Sequence, residues 1–574
     1  MENQRIRNLL SQIYGLETGE SILRDLRSII NKYRGEMPGP RGSGLNERDV
    51  ILICYADQVQ EPERAALTVL EEFCTSRVKD VVSGIHILPF FPWSSDDGFS
   101  VIDYRKVAPQ YGDWSDVRRL GETFRLMLDA VINHASAESA WFQGYLRGEQ
   151  TYDDYFIEEH GNPDLTAVVR PRALPLLTKF DTSRGSKALW TTFSADQIDL
   201  NYHNPRVLLE ILDILLFYAS QGAEFLRLDA IAYLWKEAGT PCINLPQTHW
   251  MVQLLRAVLD EIAPHVMLIT ETNVPNLENL SYFGDGSNEA QLVYNFPLPP
   301  LILHALQTGN ASVLSNWAST LRLPSRNATF LNFLASHDGI GLNPVRGLLP
   351  ESEIGALAQR IEANGGFVSN KSNANGTVSP YELNINYFDA LNAVEQREDL
   401  PVQINRFLAA HAMLLAFMGV PAIYFHSLFG SRGWLEGVRQ TGKNRSINRQ
   451  KLLRLDLERE LDEPHSLRAQ VFHRLSHLLQ IRAEQAGFSP QASQRVVESQ
   501  SDVFVLLRQP AGFGQAVLCV QNVSRDRTEA QLDLSGTSLA SAPVLRDLIN
   551  GREVAGGKSL SLVLEPYESA WLTI

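Results

Sequence analysis

The chain runs to 574 residues with 44% hydrophobic and 20% charged side chains, enough to bury a large core and to divide into one big domain with smaller ones attached. Its 66 acidic against 51 basic side chains leave a formal charge of −15, which argues against nucleic acid as a partner, because phosphate-backbone binding relies on a basic surface. Four scattered cysteines, Cys54, Cys74, Cys242 and Cys519, form no CxxC pair and no zinc spacing, so they read as buried free thiols of a cytoplasmic protein.

Residues 1 to about 45 place Ile6, Leu9, Leu10, Ile13 and Tyr14 on one helical face and end in MPGPRGSG, which predicts an N-terminal helical extension packed outside the main domain. Its first residues are charged throughout and lack a signal-peptide core. From about residue 49 an apolar run of strand length alternates with a longer amphipathic segment. Strands are expected at 49–56, 84–90, 125–131, 223–231, 266–272, 329–338 and 421–426, and an eighth falls somewhere in 291–303. The pattern predicts an α/β chain, a (β/α)8 TIM barrel over 46–490 with inserted subdomains. The apolar stretch 407–425 approaches membrane-spanning length, but Gly419-Val420-Pro421 interrupts it, and it reads as a buried helix running into a barrel strand.

One insertion, about 135–195, is rich in charge, proline and aromatics, and is expected to form a subdomain after the third strand without a helical run. A second, 340–400, is polar and loop-like, and a loop of that length in a compact enzyme is usually functional. After about 490 the text turns to short alternating runs such as DVFVLLRQ and AVLCVQNVS, which predict a C-terminal antiparallel β-domain over 491–574.

A TIM barrel builds its site from the residues that close the strands. Here these are Asp129 with Asn133 and His134, Arg227 with Asp229, Glu271, and His337 with Asp338. Four carboxylates at one barrel mouth are more than a structural site needs, since buried like charges repel. A retaining glycosyl transfer needs one ionised and one protonated carboxyl roughly 5–5.5 Å apart. Asp229 beside Arg227 suits the first, and Glu271, followed by neutral Thr272 and Asn273, suits the second.

The segments DAVINH, RLDAI, TETN and ASHDG resemble, in order and spacing, the signature segments of the α-amylase family. The resemblance implies Asp229 as nucleophile, Glu271 as acid and then base, and Asp338 as stabiliser of the oxocarbenium-like transition state. It further implies Arg227 as the partner that keeps Asp229 ionised, with His134 and His337 bonding glucosyl hydroxyls. PFFPWSSDDGFSVIDY, RPRALP, WTTFSADQIDL, KEAGTPC and NRSINR are similar to the sucrose phosphorylase subgroup, which places Asp96 and Arg445 around a single glucosyl unit. Where that subgroup carries Asp-Leu-Tyr-Gln, this chain has Ser379-Pro380-Tyr381-Glu382. SPYELN, RGLLPESE and the N-terminal extension look more like the glucosylglycerate phosphorylases of the same subgroup.

That likeness implies phosphorolysis of 2-O-α-D-glucosyl-D-glycerate. The alternatives are phosphorylases of sucrose, sucrose 6-phosphate or glucosylglycerol, and an α-glucoside hydrolase. Both glycerate and phosphate are anions, so Arg170, Arg172, Arg346 and the segment with Tyr381 and Glu382 are the candidates for the acceptor side. No metal is expected, although Asn133 stands where calcium-dependent relatives carry a ligand, and no cofactor motif occurs, phosphate being a co-substrate. The expected partners are a small sugar and phosphate, with neither nucleic acid nor membrane; a homodimer is allowed.

Overall fold

The computed structural model describes residues 2–42, 44–161, 164–172, 174–372, 377–393 and 398–574, the side chains of 2, 3 and 372 aside. Parts of the second insertion, 373–376 and 394–397, and position 173 of RPRALP lie outside them.

Eight parallel strands close into a barrel in sequential order: β1 (Ile51–Cys54), β2 (Gly84–Ile87), β3 (Arg125–Ala130), β4 (Ala223–Leu228), β5 (Met267–Thr270), β6 (Leu292–Tyr294), β7 (Thr329–Asn332) and β8 (Val420–Tyr424). β8 closes on β1, with Ile53 opposite Tyr424. Almost every strand residue is buried, as expected for a parallel sheet covered on both faces. Position 422 follows the Gly419-Val420-Pro421 break, and the apolar run around it resolves into a buried helix, Leu400–Ala416, leading into β8. Among the described residues no helix is long and apolar enough to cross a membrane.

Two helices open the chain, α1 (Glu2–Tyr14) and α2 (Leu16–Tyr33), and pack on α3 (Pro205–Ser220) and α4 (Pro246–Ile262) of the barrel's outer ring. Ile6, Leu10, Leu26 and Ile30 are fully buried in that contact. Ion pairs rim it, including Arg5 with Asp260 and Lys32 with Asp213.

Both insertions are more structured than their composition suggests. The first contains a helix, Ala140–Arg147, capped by Ser139 and ended by left-handed Gly148, and a three-stranded sheet built on the hairpin Leu177–Thr182 with Gly185–Trp190. Its helix is only 8 residues long and holds Trp141, Phe142 and Tyr145, so it reads as aromatic-rich loop. The second contains the helix Glu351–Ala363 and a hairpin, Phe367–Ser372 against Val378–Asn384. Its polar Asn and Ser residues mask strands held by backbone pairing.

After the barrel come a six-stranded antiparallel sheet and a separate two-stranded one, with an apolar core of their own. Arg508 of this region is buried with no carboxylate partner among the described residues and donates to Ala416 O at 2.8 Å, tying the sheet to the barrel helix that precedes β8.

Candidate active site

The strand ends converge on one pocket. Arg227 and Asp129 are cross-strand partners on β4 and β3 and form a buried ion pair. The same Arg227 Nη1 reaches Asp229 Oδ1 at 2.9 Å, and Nη2 lies 3.7 Å from Glu271 Oε2. Glu271 Oε2 also accepts the N–H of Ala230 at 3.0 Å, so the residue closing β5 sits against the peptide next to Asp229. Ala230 holds a left-handed backbone, φ 49°, an uncommon conformation for a residue with a Cβ and one that clusters at functional sites.

Burial pushes the Asp229 carboxyl up to about 8, against the pull of Arg227 and with the Glu271 charge adding to the rise. Burial likewise raises Glu271. Two neighbouring carboxyls that both resist ionisation hold one proton between them. The guanidinium touches Asp229 and stands off from Glu271, so charge is favoured on Asp229 and the proton on Glu271. Asp129 works from behind: burial opposes its charge, but Arg227 and His86 outweigh it and keep the carboxyl low. His86 Nε2 lies 2.8 Å from Asp129 Oδ2 and lines the pocket.

Across the pocket Asp338 takes Arg445 Nη1 at 2.5 Å and Arg449 Nη2 at 3.5 Å. Burial opposes its ionisation, yet Arg445, His337 and Arg449 hold it well below the ordinary carboxylate range. His337 stacks on Phe99 at 4.6 Å; burial lowers the imidazole to about 3, so it is neutral. Its buried Nδ1 has no partner among the described residues. Asp96 pairs with Arg172 at 3.3 Å and Arg449 at 3.5 Å, and these cations override burial to hold it at about 2. Asp96 and Asp97 both have positive φ, 54° and 51°, and Gly98 follows at 110°, where a Cβ would come within 2.5 Å of Pro89 O.

The hairpin of the second insertion delivers Tyr381 and Glu382 to the mouth. Glu382 accepts Arg445 Nε and Nη2 at 3.0 and 2.5 Å, and Tyr381 OH takes a hydrogen bond from Asn273 at 3.3 Å. Arg172 lines the same pocket.

Two expectations are corrected. Arg170 is exposed and stands outside the pocket lining, because Pro171 packs against the wall and leaves it on the solvent side. Arg346 is held behind the hairpin by Glu351 and by Pro380 O at 2.8 Å. His134 lines the pocket as expected, with its Nε2 2.8 Å from Phe99 O and its Nδ1 3.3 Å from Asn133. Sequence reading missed His86, Arg449, Gln197 and Tyr294. Arg449 stood in plain view as the last residue of NRSINR, whereas His86 is one polar residue inside an apolar strand.

Asn133 does not face a calcium site. The Lys236 ammonium lies 2.7 Å from Asn133 Oδ1 and 3.2 Å from Asp199 Oδ2, filling with a protein cation the place an ion would take, so the donor set does not fit calcium.

An eight-stranded barrel with an arginine-bridged carboxyl pair at its strand ends defines a glycoside-processing barrel of the α-amylase class. The family of α-amylase catalytic domains matches residues 78–339. Over 580 residues, 99% of this chain and 98% of the relative, the sequence is 48% identical to glucosylglycerate phosphorylase of Spirochaeta thermophila. It is 44% identical over 571 residues, 99% and 100% of the two chains, to glucosylglycerate phosphorylase of Escherichia coli. The crystal structure of sucrose 6F-phosphate phosphorylase from Thermoanaerobacter thermosaccharolyticum superposes with a TM-score of 0.74 at 22% identity, covering 92% of this chain and 100% of that one. The chain belongs to the α-amylase family, in the branch that holds these phosphorylases.

Proposed function

We propose that the protein is a retaining phosphorylase that cleaves 2-O-α-D-glucosyl-D-glycerate with inorganic phosphate to α-D-glucose 1-phosphate and D-glycerate, in either direction. End-to-end similarity to glucosylglycerate phosphorylases carries the choice of substrate. The side-by-side pair of Asp229 and Glu271 supports the chemistry.

Asp229 attacks the anomeric carbon while Glu271 gives its proton to the departing glycerate oxygen, so the glycosidic bond breaks as a glucosyl ester forms on Asp229. Glycerate leaves. Phosphate then attacks the same carbon from the vacated face, Glu271 takes the phosphate proton, and Asp229 is released. Two inversions leave the α configuration. Asp338 faces the positive charge that grows on the ring, while His337 offers its free Nδ1 to a sugar hydroxyl. Asp96 and Arg445 enclose the glucosyl unit. Arg172, Tyr381 and the Arg445-anchored Glu382 form the side where phosphate enters.

The residues present require no cofactor for these steps, phosphate being consumed as a substrate. All of the groups come from one chain, so a homodimer, if formed, is not needed for the chemistry. We place the reaction in the cytoplasm, a reading supported by four buried free cysteines.

The test is phosphate release from α-glucose 1-phosphate with D-glycerate, fructose, fructose 6-phosphate, glycerol or water. Release that is fast with D-glycerate alone is expected. Fast release with fructose or its phosphate would move the protein to the sucrose side, with glycerol to the glucosylglycerol side, and equal release in all tubes would make it a hydrolase.

A further inference from the structure

The catalytic pocket continues outward into a second cavity that shares Asp96, Arg172, Tyr381, Glu382 and Arg445 with it and adds Ser369, Asn370, Lys443 and Arg449. The acceptor side proposed above opens onto this junction. Its cations are not equivalent. Arg449 is committed to Asp97 at 2.6 Å, and Arg445 is committed to Asp338 and Glu382. Arg172 spends one contact on Asp96. The Lys443 ammonium, two residues before Arg445, has no hydrogen-bond or ion-pair partner among the described residues. The acids of the cavity are already served: Asp196 accepts the hydroxyls of Ser94 and Ser95, and Asp96 and Glu382 have arginines.

We infer that Lys443 is a specificity-determining residue that binds the carboxylate of the acceptor, and so separates an anionic three-carbon acid from uncharged polyols and from water. The inference rests on the activity proposed above and deepens it. A carboxylate entering the junction meets one cation whose charge is not already matched, on a chain whose overall charge of −15 repels it elsewhere. Lys443 is exposed at the edge of this cavity, and its long, flexible stem lets the ammonium swing to an entering carboxylate as a point charge without a fixed fork geometry. Its contact is distinct from that of the glucosyl unit, which is enclosed by groups deeper in the pocket.

The test compares acceptors on the same glucosyl-enzyme. Wild type, Lys443→Met and Lys443→Arg are given α-glucose 1-phosphate with D-glycerate, glycerol or water, and the ratio of kcat/KM for D-glycerate to that for the uncharged acceptors is measured. A charge-assisted hydrogen bond predicts that Lys443→Met lowers the ratio about 10- to 100-fold and that Lys443→Arg restores most of it. Because all acceptors share the donor half-reaction, a general loss of activity cancels. A ratio within about twofold of wild type in Lys443→Met overturns the role of Lys443 while leaving the glycerate activity standing. A wild type that releases phosphate no faster with D-glycerate than with water overturns the activity and this inference together.

Discussion

Asp229 takes the nearer arm of Arg227 while Glu271 stands 3.7 Å from the other, and on the proposed mechanism this asymmetry separates nucleophile from acid. Glu271→Gln is expected to lower phosphorolysis of glucosylglycerate by about 10²–10⁴-fold and to spare transfer from α-glucosyl fluoride, whose leaving group needs no proton. Burial raises Glu271 above the ordinary carboxylate range, so the pair loses its shared proton on the alkaline side of that range and kcat/KM should fall there. In Glu271→Gln with the fluoride donor that alkaline fall should vanish. Equal losses on both donors would remove Glu271 from the acid role. The carboxylates were legible because each closes an apolar run; Lys236 and His86 were not, since a single polar residue in buried text has the same appearance whether it serves the site or merely satisfies itself.

At the scale of elements, seven barrel strands could be read because a sheet buried on both faces writes itself as continuous Val, Ile and Leu. β6 could be placed only within 291–303, because it is three residues long and gives way almost at once to the proline-containing helix Leu298–Thr308. The hairpin carrying Tyr381 and Glu382 reads as loop because its pairing depends on backbone groups, with Val378 left 68% exposed at its tip end. The α1–α2 pair was legible through its period of 3.6, but its docking site on α3 and α4 was not, since nothing in one amphipathic face names its partner. Leu26, fully buried there, offers a test: Leu26→Ala should cost about 2–5 kcal/mol in urea unfolding with kcat near wild type. A loss below about 1 kcal/mol would mean that the hairpin does not dock as described.

The whole molecule carries several buried neutral imidazoles. His411, between Phe407 and Tyr387, is lowered by burial to about 4 despite its bond to Phe407 O. His426 is lowered by burial to about 3. In the unfolded chain such rings titrate near about 6.5. Between the two values the unfolded chain binds a proton that the folded chain refuses, so stability is whole above about pH 6.5 and is lost as pH falls through the window toward 4. Each ring should withdraw about 2 kcal/mol by pH 5, and His411→Leu should flatten the decline. Urea midpoints between pH 7.5 and pH 5 that do not move, or that move equally in the variant, would sink the assignment.

The Lys236 ammonium between Asn133 and Asp199 has one more consequence. A bound ion occupies its place according to its free concentration, and a loop braced by one is firm or slack with the surrounding medium. Here the charge is tethered by covalent bonds to the same backbone it braces. The loop that follows β3, with His134, is therefore expected to keep its shape whatever the level of divalent cations, and activity unchanged by dialysis against a chelator checks it.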